Sequence, residues 1–261
     1  MTTPVPTAEL RGVDLDYGSG PPWARRHQRA VSAVSLTIAP GETVGLVGQS
    51  GSGKTSVGRL LLGLARPTAG SVLFEGRPLG EDRRRHRGRL QAVLQNPAWS
   101  LDPRLRCGTS VAEPLTVAGA LPADERRRRV AHMLKQVGLD PGVADRFPHQ
   151  LSGGQQQRVA IARALVSHPS LVVFDEAVSA LDVSVQAQIL NLIRRLQDEV
   201  GFAALFISHD LAAARYVSHR VAVMWRSEIV EVADAAALYH HADHPYTRSL
   251  FGLEPGAAGR R

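Results

Sequence analysis

Cysteine and lysine are almost absent from this sequence of 261 residues. The single cysteine, Cys107, excludes a disulfide within the chain and any metal site or cluster held by several cysteines. The only lysines are Lys54 and Lys135, in a chain that otherwise uses arginine for positive charge. Because Lys54 lies inside a glycine-rich loop, we infer that arginine would not serve there: a compact ammonium fits between phosphates better than a planar guanidinium does.

The sequence also lacks a secretory signal and a long apolar run. Its first residues do not show a basic segment followed by an apolar one. The longest uncharged stretches remain below the ~18 residues that predict a membrane-spanning helix. We therefore expect a soluble, cytoplasmic protein that reaches a membrane only through its surface or a partner.

Apolar residues make up 44% of the chain, enough to bury a sizeable core. The 31 Lys and Arg against 24 Asp and Glu give a net charge of +7. This basic balance leaves nucleic acid or an anionic membrane surface open as partners. The arginine runs at residues 83–89 and 126–129 need no function if they are solvated helical faces.

Short strands and helices alternate along most of the chain, which favours a mostly parallel sheet covered on both faces. Strands are predicted at residues 10–17, 31–38, 43–47, 71–74, 171–174, 203–207 and 221–225. Helices are predicted at residues 54–64, 126–137, 155–166 and 183–200. Between these regions, loops and short helices are expected where the chain is broken by Pro97, Pro103, Pro114 and Pro122.

A glycine loop at residues 48–55, GQSGSGKT, lies between a predicted strand and a predicted helix. It fits the pattern G-x-x-x-x-G-K-[ST] in the context that this pattern requires. The glycines let backbone N–H groups point at phosphate oxygens, and the helix N-terminus adds a favourable partial charge. We expect Lys54 to reach the β- and γ-phosphates of a nucleotide and Thr55 to coordinate Mg²⁺.

Two acids follow the apolar run at residues 171–174. Asp175 ends the predicted strand, where its carboxylate would hold the hydration shell of Mg²⁺. Glu176 points elsewhere and can polarise an attacking water. The alternative is a pair of acids that only caps a helix, and the phosphate loop upstream makes this the weaker interpretation.

Residues 151–158, LSGGQQQR, form a second glycine turn. Ser152 followed by Gln155 predicts a capping box at a helix start. Gly153 and Gly154 leave N–H groups there for an anion, such as another γ-phosphate. One chain cannot easily bring two helix N-termini to one phosphate from opposite sides, but two chains packed head to tail can.

With these motifs in order, nearly the whole sequence resembles the ATP-binding subunits of ABC transporters. The resemblance implies an α/β fold: a P-loop NTPase (RecA-like) parallel-sheet core with an N-terminal antiparallel β-subdomain and an inserted α-helical subdomain. It implies one ATP-binding domain over residues 1–261, with the core lobe near residues 1–95 and 155–261 and the helical subdomain near residues 96–154. ATP and Mg²⁺ are the implied ligands.

The same resemblance assigns roles to single residues. Glu176 is implied as catalytic base, His209 as the switch histidine and Gln95 as the Q-loop glutamine. The implied metal ligands are Thr55, Gln95 and Asp175. The residues implied to bind the nucleotide are Tyr17, Gly48, Gln49, Ser50, Gly51, Ser52, Gly53, Lys54, Thr55, Ser56, Ser152, Gly153, Gly154, Gln155 and Asp182.

Three of these assignments have plainer alternatives. Asp182, in the D-loop SALD, could cap the helix that begins at Val183. His209 could be a strand-end histidine without a ligand, and Tyr17 could be packed in the core.

Three segments narrow the resemblance to the oligopeptide, dipeptide and nickel importer branch: residues 95–104 (QNPAWSLDPR), 183–193 (VSVQAQILNLI) and 244–250 (HPYTRSL). Two positions depart from the family pattern. Ala177-Val178 replaces the Pro-Thr pair that frequently follows the catalytic acid, and Ser227 stands where the family usually has a glycine in a turn. The absence of a longer, cysteine-bearing C-terminal extension favours the partner-type subunit without that cluster. Because HPYTR is a late turn of the family, no metal site is expected from His240, His241 and His244.

The resemblance implies an ATP hydrolase that energises an importer, with di- or oligopeptides as the first expected solute and nickel or a metal chelate as the alternative. The implied partners are a second, paralogous ATPase in a head-to-tail dimer, two membrane permease subunits docking near residues 95–104, and an external solute-binding protein. The implied location is the cytoplasmic face of the membrane.

Two other functional classes of protein are less favoured by the sequence. A nucleic-acid ATPase of the same superfamily is not expected, because the interval between Gln95 and Leu151 has no room for a long coiled coil and the chain carries one ATPase unit. A non-catalytic binding subunit is not expected either, because Glu176 and His209 are both present.

Overall fold

The computed structural model describes residues 5–19, 26–81, 86–96, 100–119, 121–239 and 241–253. Residues 83–85, 97–99 and His240, all named above, lie outside these ranges. The chain forms two compact units: Met1–Glu81 with Leu205–Arg261, and Asp82–Ala204. The division into a core lobe and a helical subdomain stays a prediction.

The strands, in chain order, are β1 (Ala8–Ser19), β2 (Arg26–Ile38), β3 (Thr43–Val47), β4 (Ala69–Phe74), β5 (Arg77–Pro78), β6 (Leu90–Leu94), β7 (Leu171–Asp175), β8 (Ala203–Ile207), β9 (Arg220–Trp225) and β10 (Glu228–Asp234). The helices are α1 (Lys54–Leu61), α2 (Cys107–Ala118), α3 (Ala123–Gln136), α4 (Gly153–Leu165), α5 (Val183–Val200), α6 (Leu211–Val217) and α7 (Pro245–Leu250). Short 3₁₀ turns lie at Pro141–Asp145, Pro148–Gln150 and Ala237–Tyr239.

The first unit contains an antiparallel sheet with the strand order β2-β1-β4-β5. Alternate side chains of β1 and β2 are buried, among them Leu15, Leu36 and Ile38, as expected for a sheet with one face on the core. Helix α1 contacts β1, β2 and β4. The predicted N-terminal antiparallel β-subdomain is confirmed.

The same unit contains the strand that leads into the glycine loop. All five residues of β3 are buried, and β3 runs parallel to β9 with Val47 opposite Val223. Strand β10 pairs antiparallel with β9. A strand buried on both faces holds the start of the loop rigidly, because every side chain of β3 is packed.

In the second unit, β6 and β7 are parallel, with Leu94 opposite Asp175. Helix α4 contacts β6 and the helices α2, α3 and α5. Strand β7 is buried over its four apolar residues, so the carboxylate of Asp175 comes directly after a core strand. Parallel-sheet strands between helices confirm the predicted α/β class.

Several elements begin or end away from their predicted bounds: β2 begins at Arg26 rather than at residue 31, and α3 spans Ala123–Gln136 rather than residues 126–137. Two further differences have a local explanation. Helix α1 ends at Leu61 rather than at residue 64, because Gly63 at φ 67° closes a Schellman motif. In that motif Gly63 N–H donates to Leu60 and Leu64 N–H donates to Arg59. The expected break at Pro114 is absent as well, since α2 continues through it. Val111 and Leu115 are buried, and their packing offsets the backbone hydrogen bond that proline removes.

Candidate nucleotide-binding site

The glycine loop of residues 48–53 joins β3 to α1 in the first unit. A Cβ on Gly48 would lie 2.1 Å from the carbonyl oxygen of Met224, and one on Gly53 would lie 2.1 Å from that of Ala30. The φ angles of the two glycines are 150° and 108°. Strands β9 and β2 thus support the loop so closely that only glycine fits at these positions.

Lys54 begins α1, and the residue is only 5% exposed. Its ammonium donates hydrogen bonds to the carbonyl oxygens of Gly48 at 2.8 Å and Gln49 at 2.7 Å. The hydroxyl of Ser52 is buried and has no hydrogen-bond partner among the described residues. Together with the first N–H groups of α1, these donors can bind an anion.

The other predicted loop residues are accessible at least in part. Gln49, Ser50, Gly51 and Thr55 are exposed, and Gly53 and Ser56 are half-buried. The predicted order of buried strand, glycine loop and helix is confirmed at this place.

Tyr17 lies on β1 and is 38% exposed, which is more than core packing would leave. It pairs with Gln28 of β2, two residues before Ala30, whose carbonyl supports the glycine loop. An exposed aromatic ring on the strand next to the loop support can stack on a base.

His209 follows β8 and is exposed. Its neighbours on both sides are fixed. The Ser208 hydroxyl accepts the N–H of Asp210 at 2.9 Å, and the Asp210 carboxylate accepts the N–H groups of Ala212 and Ala213 at the start of α6. Capping of this kind holds the backbone at His209 while its side chain stays accessible.

In the second unit, Gln95 follows β6 and Asp175 ends β7. Since Leu94 is the register partner of Asp175, Gln95 and the two acids Asp175 and Glu176 emerge at the same edge of this parallel pair. Side chains at the carboxyl ends of parallel strands commonly bind ligands. The structure therefore brings together the oxygen donors that the sequence places in two distant segments.

Glu176 has left-handed backbone, with φ 50°. Its carbonyl oxygen accepts the N–H of Ser179 at 3.1 Å and the hydroxyl of Ser179 at 2.9 Å. A non-glycine residue in this conformation costs roughly 1 kcal/mol or more. The turn from Glu176 to Ser179 thus keeps the glutamate in an orientation that a relaxed strand end would not give.

The capping box predicted at the start of α4 is confirmed. Ser152 accepts the N–H of Gln155 at 3.3 Å, and the Gln155 side chain accepts the N–H of Ser152 at 3.0 Å. A Cβ on Gly154 would lie 2.8 Å from Val185 of α5, whereas one on Gly153 would meet nothing within 4 Å. The packing of this chain explains a glycine at residue 154 but not one at residue 153.

Asp182 occupies the N-cap position of α5, but its side chain makes no capping hydrogen bond. Capping by the carboxylate is therefore not its role in this structure. Asp182 is exposed, near the same helix start that Gly154 contacts through Val185.

After Asn96, the segment that follows Gln95 is described again from Ser100 onward. Leu101 is buried at 1% exposure, and the Asp102 carboxylate accepts the backbone N–H of Arg104 at 2.9 Å and its guanidinium at 3.0 Å. These hydrogen bonds, chiefly from the Arg104 side chain, lower the pKa of Asp102 below its ordinary value. The turn is anchored at Leu101 and presents Arg104 and the 42%-exposed Leu105 to the surface.

Three arginines of α3 have local partners. Arg127 pairs with Asp124, and Arg128 and Arg129 pair with Glu125. Acids in the first turn of a helix and arginines one turn later stabilise it, so these three arginines are explained without a polyanion.

One contact to the glycine loop was missed by the sequence analysis. The backbone N–H of Gln49 donates to the hydroxyl of Tyr246 on α7, at 3.1 Å. The segment HPYTRSL was recognised only as a branch motif. Since Gln49 and Tyr246 are far apart in sequence, no local pattern could have indicated the contact.

Among the residues that the structure describes, no group of three or more His, Cys, Asp or Glu is placed to hold a metal ion. Within the same ranges, no helix has the length and apolar character needed to cross a bilayer.

Comparison with known sequences identifies several relatives. The profile of the family described as "ABC transporter" matches residues 31–179. A protein of Brucella abortus (strain 2308) whose name describes it as a peptide import ATP-binding protein is 50% identical over 250 residues, covering 94% of this chain and 75% of the relative. The glutathione import ATP-binding protein GsiA of Pectobacterium atrosepticum is 48% identical over 236 residues, covering 89% of this chain and 38% of that protein.

Comparison with solved structures gives a consistent result. The ATP-binding cassette MJ0796, solved as a dimer in a post-hydrolysis state bound to ADP and Pi, is 32% identical with a TM-score of 0.77, over 87% of this chain and 98% of that one. CbiO1 of Clostridium perfringens, part of the transporter complex cbiONQ, is 26% identical with a TM-score of 0.79, over 90% of each chain.

Proposed function

Because this chain belongs to the ABC transporter family of ATP-binding proteins, we propose that it hydrolyses ATP to drive the import of di- or oligopeptides through membrane permease subunits. The observation that carries the proposal is the glycine loop with Lys54 buried in it. An ammonium that is buried inside the loop, where it donates to the carbonyl oxygens of Gly48 and Gln49, is placed to meet phosphate oxygens, which are strong acceptors because they carry charge.

We propose that the nucleotide binds to residues of the glycine loop and its surroundings. The N–H groups of residues 51–56 and the Ser52 hydroxyl bind phosphate oxygens, Lys54 reaches the β- and γ-phosphates, and Tyr17 stacks on the adenine. These donors suit a triphosphate because a helix start and an ammonium both favour negative charge.

We assign Mg²⁺ from the chemistry of the donors that the chain offers. Thr55, Gln95 and Asp175 supply a hydroxyl, an amide and a carboxylate oxygen, which are the hard ligands that this ion prefers. When bound, the ion would neutralise charge on the phosphates.

Glu176 is assigned as the general base. Its carboxylate accepts a proton from the attacking water as the bond between the γ-phosphorus and the bridging oxygen of ADP breaks, and His209 orients the γ-phosphate. The left-handed backbone of Glu176 supports this role, because strained conformations of polar residues cluster at functional sites.

The turn of residues 152–155 is assigned to the ATP of a second chain. The capping box accounts for Ser152 and Gln155, but the open space around Gly153 gives no reason within this chain for a glycine. Close approach of another chain's γ-phosphate to the N–H groups there would supply the reason. Asp182, whose carboxylate caps nothing, would act at the same interface. The dimeric state of the MJ0796 cassette supports a dimer, to which we assign a head-to-tail arrangement with a paralogous subunit as the natural partner.

The turn of residues 100–105 is assigned to contact with the permease subunits. Its fixed backbone and its exposed Arg104 and Leu105 offer a preformed contact of one charge and one apolar side chain. An external solute-binding protein completes the importer. The ATPase subunit itself lies at the cytoplasmic face of the membrane. Peptides are preferred over nickel because the relatives named above are a peptide and a glutathione importer subunit.

The test is phosphate release by the purified chain with ATP and Mg²⁺. Glu176→Gln should keep ATP binding and lower turnover by about 10² or more, because the amide cannot accept the proton. Glu199→Gln, which changes an exposed glutamate paired with Arg195, is the matched control and should retain wild-type turnover. Unchanged phosphate release by Glu176→Gln would contradict the assignment of Glu176 as the general base.

The solute is tested with the permease subunits and binding protein reconstituted in vesicles. Di- or oligopeptides should stimulate hydrolysis, and nickel or its chelates should not. Stimulation by nickel alone would overturn the peptide assignment and leave the ATPase assignment standing.

A further inference from the structure

A hydrogen bond joins the short helix α7 to the glycine loop. The backbone N–H of Gln49 donates to the hydroxyl oxygen of Tyr246 at 3.1 Å. Tyr246 belongs to the HPYTRSL segment, which the proposed chemistry does not use. The contact lies within one compact unit of the chain.

Gln49 connects this hydroxyl to the lysine of the loop. The carbonyl oxygen of Gln49 accepts the ammonium of Lys54 at 2.7 Å and the N–H of Ser52 at 3.2 Å. A shift of Gln49 therefore moves an acceptor of the buried Lys54. Because a backbone residue held at its N–H has less freedom at its carbonyl, Tyr246 restricts where the ammonium can lie.

The ring of Tyr246 is itself fixed by neighbours. It stacks on Trp225 at the end of β9, with ring centroids 5.4 Å apart and an interplanar angle of 23°. The imidazole of His244 lies 6.0 Å from the same tryptophan ring, and its Nδ1 accepts the backbone N–H of Tyr246 at 3.1 Å. Trp225 follows Met224, whose carbonyl closes on Gly48, so β9 supports both the loop and the tyrosine.

A carboxylate fastens the segment to β10. Glu231 accepts the backbone N–H groups of Asp243 at 2.9 Å and His244 at 3.1 Å. Burial alone would raise the pKa of Glu231, but the polar groups of Thr247, Asp243 and His244 together bring it below its ordinary value. The hydrogen bonds to the Glu231 carboxylate come from the backbone N–H groups of Asp243 and His244. The Thr247 hydroxyl lies near but does not meet the distance and angle of a hydrogen bond. Glu231 is thus ionised at neutral pH and holds the start of α7.

We propose that Tyr246 is a positioning residue for the phosphate loop: its hydroxyl fixes Gln49 and, through the Gln49 carbonyl, the ammonium of Lys54 before nucleotide binds. Glu231 and Trp225 act by holding Tyr246 in place. The inference rests on the proposed function, since it assigns part of the HPYTRSL segment to the same nucleotide site.

The first test is ATP affinity of the full chain with Tyr246→Phe, which removes the hydroxyl and keeps the ring on Trp225. Loss of one ordering hydrogen bond should weaken ATP binding by about threefold to tenfold. The unfolding midpoint without nucleotide should change little, because the bond is exposed. Tyr216→Phe, at a 45%-exposed tyrosine of α6, is the control and should leave ATP affinity unchanged.

A double-mutant cycle separates positioning from general damage. Glu231→Gln should also weaken ATP binding, whereas Glu228→Gln on the same strand should not. Because Glu231 acts through the Tyr246 hydroxyl, Tyr246→Phe combined with Glu231→Gln should bind no more weakly than the worse single variant.

Three results would overturn the inference: unchanged or tighter ATP binding by Tyr246→Phe, a lowered unfolding midpoint with unchanged affinity, or multiplying losses in the double variant. If the wild-type chain fails to bind ATP, the proposed function itself fails, which is a different outcome.

Discussion

Among the described residues, Glu176 and Ser227 are non-glycine residues with left-handed backbone, the first at the end of β7 and the second in contact with the glycine loop. Glu176, the proposed base, has φ 50°, and Ser227 has φ 72° in the turn between β9 and β10. Arg226 precedes Ser227 at φ 48°, so both central residues of the hairpin are left-handed, as a type I′ turn requires. This explains why glycine is the usual residue at the position of Ser227.

Serine is tolerated there because it makes its own contacts. Its hydroxyl donates to the carbonyl of Arg29 at 3.1 Å, and its N–H donates to the carbonyl of Ser52 in the glycine loop at 3.1 Å. The hydrogen bond of the hydroxyl contributes about 0.5–1 kcal/mol at an exposed site. This is similar to the cost of placing a side chain in left-handed backbone, roughly 1 kcal/mol.

Replacing Ser227 separates these effects. Ser227→Gly should leave the free energy of unfolding within about 0.5 kcal/mol of wild type, because relief of strain offsets the lost bond and the added backbone freedom. Ser227→Ala keeps the strain and loses the bond, so it should destabilise by about 0.5–1 kcal/mol. Urea unfolding of the three chains measures both values, and an alanine variant as stable as wild type would contradict the account.

At the scale of elements, the starts of α4 and α5 are built differently. Helix α4 begins with a complete capping box, and α5 begins at Asp182 without a side-chain cap. A complete cap stabilises its helix by about 1 kcal/mol, so the first start is explained by stability. The start of α5, with the exposed carboxylate of Asp182, is better explained by contact with the second chain of the proposed dimer.

Gly153 distinguishes stability from contact with a partner. Gly153→Ala should not lower the free energy of unfolding, because its Cβ meets nothing within 4 Å and alanine favours helix. It should nevertheless reduce ATP turnover of the assembled dimer by about 10-fold or more, since a Cβ obstructs an approaching phosphate. Gly80→Ala, at another glycine whose Cβ meets nothing within 4 Å, is the control. Full turnover with Gly153→Ala would argue against a ligand at this turn.

At the scale of the whole molecule, each compact unit holds only part of the proposed chemistry. Tyr17, the glycine loop and His209 belong to one unit, and Gln95, residues 152–155, Asp175, Glu176 and Asp182 belong to the other. The turn of residues 152–155 is proposed to serve the nucleotide of a second chain. The active form should therefore contain two chains that share two nucleotides.

Dimer formation is measurable with Glu176→Gln, which should bind ATP without releasing phosphate. In sedimentation, its mass should double when ATP is added, alone or mixed with the partner subunit. Adding Ser152→Arg should abolish this change, because the arginine fills the turn that receives the phosphate, while ATP affinity of the isolated chain should remain. A large loss of that affinity would mean that the turn serves its own chain.

The sequence by itself determined the features that depend on near neighbours. The glycine loop, the capping box of Ser152 and Gln155, and the buried strands β3 and β7 were all predicted, because local hydrogen bonds and apolar patterns fix them. The end of α1 was missed although Gly63 signalled it locally. The amphipathic α5 was predicted with its full length, and Ile189, Ile193 and Leu196 of its apolar face are buried.

Only the tertiary structure decided the contacts between distant segments. It placed Leu94 opposite Asp175, so that Gln95 follows at the same sheet edge, closed Met224 and Ala30 on the glycines of the loop, and set the Tyr246 hydroxyl against Gln49. It also kept α2 intact through Pro114, because packing of buried neighbours outweighed the local preference to break. Such contacts depend on how whole elements pack, and packing energy is shared among residues that no short window of sequence contains.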